Sequence, residues 1–293
     1  MSLLTFRFAP SPNGELHLGH AYSAFLNAKL ARMFGGRFLL RIEDIDTTRC
    51  TPEFEAGIYR DLEWLGIEWE MPVRRQSAHF DQYQSVLERL VDEGLVYPAF
   101  MSRGDIRAFI ADSERQGRSW PRDPDGVPVY PGLDKSMPMK ERKARMAEGE
   151  PFAWRLDMEK AVERAGGPLS WTEFTEQTLT ETRTVETRPQ DWGDVVIARR
   201  DIPTSYHLAV VVDDALQGVT HVVRGIDLQL ATGVQRLLQC LLGLPEPRYL
   251  HHPLILGPDG RKLSKSQRDT GLAALRQAGF APEDIRRMIG PAR

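Results

Sequence analysis

Arg7-Phe-Ala-Pro-Ser-Pro-Asn-Gly-Glu-Leu-His-Leu-Gly-His20 is the stretch on which the fold turns, because it separates two periodicities. Residues 3–9 are apolar and β-compatible, and Pro10, Pro12, Asn13 and Gly14 end that strand. Beyond it, apolar residues recur at Tyr22, Phe25, Leu26, Leu30 and Met33, the stripe of a helix that Gly35 and Gly36 close. The quoted residues therefore sit where a strand gives way to a helix, the place where open parallel sheets bind ligands. The helix N-terminus offers unpaired N–H groups and partial positive charge to an anion. His17 and His20 share one face of its first turn, and Gly14 and Gly19 let backbone come close to a ligand. Two imidazoles beside exposed amides suit a phosphate whose charge rises during reaction. A zinc site is the weaker reading: no third ligand is evident and the HExxH spacing is absent.

Working outward, residues 37–42 read as a second strand, and Thr51-Pro52 opens a helix with proline in its first turn. That helix carries Phe54, Ile58, Leu62 and Leu65 and stops at Gly66. A third helical face, Tyr83, Val86, Leu87, Leu90 and Val91, ends at Gly94. Strand–helix alternation of this kind predicts an α/β fold with a parallel sheet. Residues 97–192 differ. They hold Pro121, Pro124, Pro128, Pro131 and Pro138 and the basic run Lys140-Glu-Arg-Lys-Ala-Arg145, and they read as an inserted subdomain. The pattern then resumes. Residues 195–198, 208–212 and 219–223 are β-branched runs suited to strands. Leu230, Val234, Leu237, Leu238 and Leu241 form a helical face, and residues 270–293 read as a polar helical tail. The expected organisation is a sheet built from two halves, 1–96 and 193–293, split by 97–192.

The 293 residues, 41% hydrophobic, suffice for a sizeable core. A net charge of -3 argues against blanket coating of nucleic acid but leaves room for a local basic patch. Arg74-Arg75, Lys140–Arg145, Arg183, Arg188 and Arg199-Arg200 are candidate phosphate contacts, and each cluster suits a solvated surface equally well. Cys50 and Cys240 make neither a disulfide framework nor a CxxC site. No apolar run approaches 18 residues, and the start of the chain lacks the features of a signal peptide, so a cytoplasmic protein is expected.

Near the other end stands Gly257-Pro-Asp-Gly-Arg-Lys-Leu-Ser-Lys-Ser266. Its glycines and proline make a loop from which Lys262 and Lys265 can reach phosphate as mobile point charges. Taken together, His17-Leu-Gly-His20 and Lys262-Leu-Ser-Lys-Ser266 resemble the HIGH and KMSKS signatures of class I aminoacyl-tRNA synthetases, in the family's order. The whole segment from Arg7 to His20 looks like the glutamyl-tRNA synthetase version. So do Arg41-Ile-Glu-Asp-Ile-Asp46 and Gly218-Val-Thr-His-Val-Val-Arg-Gly-Ile-Asp-Leu228. Pro203-Thr-Ser-Tyr-His-Leu-Ala-Val-Val-Val-Asp-Asp214, and the 27 residues that follow Ser266, match a truncated paralogue family, the glutamyl-queuosine tRNA(Asp) synthetases.

The resemblance implies a Rossmann-type parallel sheet, split by an insertion. It also implies ATP-dependent activation of glutamate and its transfer to queuosine at the wobble position of tRNA(Asp). The rivals are a short conventional glutamyl-tRNA synthetase, which charges a tRNA 3′ end, and an inactive tRNA-binding paralogue. By the resemblance, His17, His20, Lys262 and Lys265 stabilise the reacting phosphate, and Gly19 with His17, His20 and Lys265 meets ATP. Arg7, Phe8, Ala9, Pro10, Ser11, Glu43, Tyr206 and Arg224 match the family's glutamate-binding positions. In this assignment the arginines meet carboxylates, Glu43 meets the ammonium and Tyr206 adds a hydroxyl. Mg²⁺ is expected to arrive with ATP. The family often holds zinc in its insertion on Cys-x-Cys, a tyrosine and another cysteine. Here Pro98-Ala-Phe-Met-Ser-Arg103 and Val129-Tyr-Pro-Gly-Leu-Asp134 lack those cysteines, so no structural zinc is expected. The partners expected are glutamate, ATP and tRNA(Asp), bound by a monomer.

Overall fold

The structure, a computed structural model, describes residues 3–257 and 271–290. The buried strand β1 (Thr5–Phe8) leads through the loop at 9–17 into α1 (Leu18–Met33), which returns the chain to β2 (Arg37–Ile42), parallel to β1 with Thr5 opposite Arg37. Only glycine suits position 36, since a Cβ there would lie 2.4 Å from the Leu4 carbonyl oxygen. α2 (Pro52–Trp64) begins at Thr51, whose hydroxyl accepts the Phe54 N–H, and delivers β3 (Glu70–Arg75) parallel to β2. α3 (Phe80–Asp92) follows.

The chain then runs through β4 (Val96–Ala99), α4 (Arg103–Arg115), α5 (Met139–Ala147), β5 (Ala153–Leu156), α6 (Met158–Ala165), β6 (Leu169–Phe174), β7 (Thr182–Thr187) and β8 (Val196–Arg199). β4, β5 and β8 form an antiparallel sheet of their own. β6 and β7 pair antiparallel with each other.

α7 (Tyr206–Leu216), β9 (His221–Gly225), α8 (Thr232–Leu242) and β10 (Arg248–His252) complete the second half. β10 lies between β9 and β6, parallel to both, so the stretch 97–192 contributes β6 to the same sheet as β9 and β10. The two halves meet where β9 begins beside β1. Thr220 N–H donates to Thr5 O at 3.1 Å, and the Thr220 hydroxyl accepts the Thr5 N–H at 2.8 Å. β2 and β3 lie on one side of that seam and β10 and β6 on the other, which makes it the topological switch point of the sheet.

Residues 208–212, which suited a strand, are helical and lie inside α7. Positions 208–212 are all apolar because that part of α7 is buried on every side, with Leu208 and Ala209 fully enclosed. A run of that kind has no period to betray it; the signal is Ser205, whose hydroxyl caps the helix by accepting the Leu208 N–H. α9 (Leu272–Gln277) and α10 (Pro282–Met288) bury Leu272 and Ile285 against α1 and α2, and Arg276 pairs with Asp61 at 2.9 Å. Among the described residues no helix is long and apolar enough to cross a membrane.

Candidate active site

A cleft of about 500 Å³ opens at the switch point, at the carboxyl ends of β1, β2, β9 and β10. Arg7, Phe8, Ala9, Pro10, Ser11, His17, Gly19, His20, Glu43, Tyr206 and Arg224 all line it. Lys262 and Lys265 lie outside the described residues.

The two histidines build the start of α1. His17 is its N-cap, and its Nδ1 accepts the Gly19 N–H at 3.1 Å. His20 Nδ1 accepts the His17 N–H at 3.1 Å, so a capping box is made from imidazoles. A nitrogen that accepts from a backbone N–H carries no proton, so each neutral ring holds its hydrogen on Nε2, as a donor. The rings lie 3.8 Å apart. Gly19 makes room for this fold-back, since a Cβ there would sit 3.1 Å from His17 Cε1.

Behind the cleft lies a buried ionic network. Arg41, wholly enclosed, donates Nη1 to Asp214 at 2.7 Å and Nη2 to Glu43 at 3.1 Å, and its Nε stands 3.8 Å from Asp213. Arg7 Nε donates to Asp214 at 3.2 Å. Asp213 also accepts from Arg74 (2.7 Å), Gln76 (2.8 Å) and Tyr83 (2.9 Å). Three arginines thus face three carboxylates, which meets the requirement that buried charges be paired. Burial pushes the Asp214 carboxyl up, but Arg7 and Arg41 outweigh it and hold the group below its ordinary range. For Glu43 burial wins over Arg41 and Arg7, and its pKa is raised.

The groups left over are the informative ones. Neither Nη of Arg7 has a hydrogen-bond partner among the described residues, and neither does Glu43 Oε2. Arg224, 5% exposed, has no carboxylate within 4.0 Å among them. Its Nη2 is held by Thr232 Oγ1 (2.8 Å) and Leu228 O (3.2 Å), its Nε by His251 Nε2 (3.2 Å), and its Nη1 reaches the Tyr206 hydroxyl at 3.4 Å. A buried guanidinium without its own anion is poised to take one from a ligand.

A second chamber of about 580 Å³ shares Ser11, Asn13, Glu43 and Tyr206 with the cleft. Tyr130, Arg155, Trp192, Asp194 and His207 line its other wall. Burial, with Arg224 nearby, pulls the His207 imidazole down to about 4, so that ring is neutral at pH 7.

The stretches 98–103 and 129–134, where the resemblance implied zinc ligands, do not fit the metal. Ala99 and Met101 are apolar, and the Tyr130 hydroxyl donates to Asp134, whose Oδ2 also accepts the Phe100 N–H at 3.2 Å. Burial and then Asp134 push the Tyr130 phenol up, so it stays a donor rather than becoming a phenolate ligand. Of the candidate phosphate contacts, Arg74 is taken up by Asp213, while Arg199 lines the second chamber.

Sequence reasoning passed over Asp213, Asp214 and His251 as working parts. Two adjacent aspartates closing an otherwise apolar helical run were a signal, since such charges must find partners. Nothing local marks His251, which meets Arg224 only through the pairing of β10 with β9.

The family model for tRNA synthetases class I (E and Q), catalytic domain, matches residues 3–290. The Glutamyl-Q tRNA(Asp) synthetase of Rhodobacter capsulatus is 48% identical over 97% of this chain and 99% of its own. A glutamate–tRNA ligase of a Synechococcus species is 38% identical over 97% of this chain, which spans 55% of that protein. Among solved structures, a glutamate tRNA ligase from Elizabethkingia meningosepticum, crystallised in complex with its amino acid, superposes with a TM-score of 0.77 at 28% identity. It covers 98% of this chain and is itself covered over 60%.

Proposed function

The chain belongs to the class I tRNA synthetases of the glutamate and glutamine branch, and from that premise we propose that it activates glutamate with ATP and transfers it to queuosine at the wobble position of tRNA(Asp). Family membership implies the use of ATP. The glutamate reading is carried by the charge inventory of one cleft. Arg7 offers two Nη groups without a partner among the described residues, Arg224 offers Nη1 beside the Tyr206 hydroxyl, and Glu43 offers Oε2. Two cations and one anion complement a ligand with two carboxylates and one ammonium. An ammonium beside Glu43 would offset the burial that raises its pKa.

In the first step a carboxylate oxygen of glutamate attacks the α-phosphorus of ATP. The bond to the β-phosphate bridging oxygen breaks, pyrophosphate leaves, and glutamyl-adenylate remains. The Nε2–H donors of His17 and His20 meet the phosphate oxygens as charge gathers there, and Lys262 and Lys265 are assigned to the same charge. Magnesium enters as part of the nucleotide substrate. In the second step an acceptor hydroxyl attacks the acyl carbon of the mixed anhydride, its proton is lost, and AMP departs. The second chamber, which shares the wall residues Ser11, Asn13, Glu43 and Tyr206 with the cleft, suits the acceptor nucleoside.

The choice of acceptor rests on the likeness to the Rhodobacter Glutamyl-Q tRNA(Asp) synthetase, 48% identical over 97% of this chain. The protein is read as a cytoplasmic monomer. The test is incubation with ATP, labelled glutamate and total tRNA, followed by mapping of the labelled nucleotide. Label on queuosine in the anticodon of tRNA(Asp) is the expected result. Label on a 3′-terminal adenosine would make the protein a conventional glutamate ligase instead.

A further inference from the structure

Arg224 owes its orientation to two residues that stand behind it. His251 on β10 is the register partner of Arg224 on β9, so adjacent parallel strands put both on one face. Glu173 comes from β6, the neighbour of β10 on its other side. Its Oε1 lies 3.3 Å from His251 Nδ1, and the carboxylate also accepts Trp171 Nε1–H at 3.0 Å and Gln229 Nε2–H at 2.8 Å. All three residues are at most 8% exposed.

The protons along this line can be placed without ambiguity. Arg224 Nε–H can only donate, so His251 Nε2 must accept and therefore carries no proton. The ring proton is then on Nδ1, where Glu173, acceptor-only as a carboxylate, receives it. Burial opposes ionisation of Glu173, but hydrogen bonds from His251, Trp171 and Gln229 outweigh it and keep the group ionised. Burial likewise keeps His251 neutral, against the opposing pull of Glu173. The arrangement places a carboxylate, whose Oε1 also accepts from Arg183 Nη2 at 3.4 Å, one residue behind Arg224, where it cannot compete with a ligand in front.

We propose that Glu173 and His251 are positioning residues: they clamp the Nε edge of Arg224, so that Nη1 is the nitrogen presented to a carboxylate of the amino-acid substrate, and thereby set the KM for glutamate. This rests on the reading of the cleft as a glutamate site. Side chains on three adjacent strands are stiffer supports than loop residues. A misdirected guanidinium would forfeit a charge-assisted hydrogen bond to the substrate.

The test is ATP–pyrophosphate exchange by the full chain without tRNA, with glutamate varied, for the wild type, His251→Leu, His251→Gln, Glu173→Gln and Arg224→Lys. Wild-type protein without glutamate-dependent exchange would dispose of the glutamate reading itself, whatever the variants do. Given wild-type exchange, His251→Leu should raise the KM for glutamate about tenfold or more, the range for a hydrogen bond to a charged group. Its kcat and its KM for ATP should stay within about twofold. His251→Gln, which keeps an acceptor near the Nε2 position, should recover most of the loss. Glu173→Gln should raise the same KM by a smaller factor. A residue with a merely structural role would lower the unfolding temperature and the active fraction, and so kcat, with KM unmoved. That pattern, or a glutamate KM within about twofold of wild type in His251→Leu, overturns the proposal. Should His251→Leu fail to fold, Glu173→Gln and His251→Gln decide, and an unchanged glutamate KM in both overturns it. Arg224→Lys separates the two readings: a steep rise in KM there with none in the His251 and Glu173 variants leaves Arg224 as a ligand and removes its supports.

Discussion

Arg7 and Arg224 carry the same charge but present it differently. Arg7 spends only Nε on Asp214, whereas Arg224 spends Nε and Nη2 on neutral partners. Arg7→Lys should therefore be far from conservative, since a lysine cannot pair with Asp214 and offer a two-pronged fork at once. We expect the KM for glutamate to rise about tenfold or more with the exchange maximum little changed, and glutamine to remain a poor substrate. A wild-type KM would remove Arg7 from the site. Another residue-scale property is acid sensitivity. His221 packs between Phe6 and Phe174, and burial, with Arg248 nearby, pulls its imidazole down to about 4. Between pH ~6.5 and ~4 the unfolded chain binds a proton that the folded chain does not, so stability falls as pH falls, by about 2–3 kcal/mol for this group. In urea titrations at pH 7 and 4.5, His221→Phe should lose less stability than wild type by about that amount; equal losses would refute the assignment. Arg7, Glu43 and Arg224 were legible because each lies in a short recognisable segment. Asp214 and His251 were not, because what they do depends on partners brought in by distant strands.

At the scale of elements, the N-terminus of α1 combines two tasks that one substitution can separate. His17 caps the helix through Nδ1 and faces the cleft. Asparagine is among the best N-caps, so His17→Asn should keep thermal stability within about 1 kcal/mol while removing the imidazole. If the ring meets the reacting phosphate, the exchange rate should fall about 10²–10³-fold; full activity in a stable His17→Asn protein would reduce His17 to a cap. The insertion offers a second case. Where the resemblance implied a metal site, Tyr130 and Asp134 hydrogen-bond to each other, and the Arg155 guanidinium lies 3.8 Å from the Tyr130 ring centroid. Tyr130→Phe should cost about 1–3 kcal/mol by leaving a buried carboxylate short of a donor. A chelator should leave the unfolding temperature unchanged, and elemental analysis that finds stoichiometric zinc would contradict this. The elements themselves were unevenly legible. β1, α1 and β2 announced themselves through short apolar runs, the Pro-Asn-Gly break between β1 and α1, and the glycine stop before β2. α7 hid in an apolar run, and β6 hid in a charged stretch because Glu173, a strand residue, is buried through hydrogen bonds that no local pattern reveals.

Over the whole molecule, the question is what the site needs from RNA. Arg7 and Arg41 are held by Asp214, and Arg224 by His251 and Thr232, all within this one chain. Among the described residues the charges that line the amino-acid cleft are already fixed without RNA, so glutamate should be activated in the absence of any tRNA. ATP–pyrophosphate exchange that appears only on addition of tRNA would show that the cleft is assembled by RNA. On the proposed reading the acceptor arrives from the side of the second chamber, whose wall carries Tyr130, Trp192, Arg155 and Arg199. Aromatic faces and guanidinium planes are surfaces on which an unstacked base can lie, and single-stranded loops are where such bases are found. An anticodon loop meets that description as well as an acceptor end does, so the pocket alone does not choose between them. The likeness in sequence to a Glutamyl-Q tRNA(Asp) synthetase favours the loop. We therefore expect tRNA(Asp) from queuosine-containing cells to accept glutamate and tRNA(Asp) from queuosine-deficient cells to accept at least about tenfold less. Loss of a single productive acceptor group accounts for a factor of that size. The label should survive removal of the 3′-terminal nucleotide. Equal acceptance by the two tRNA preparations, or loss of the label with the 3′ end, would move the activity to conventional charging, with the amino-acid cleft unchanged and only the path of the RNA reassigned.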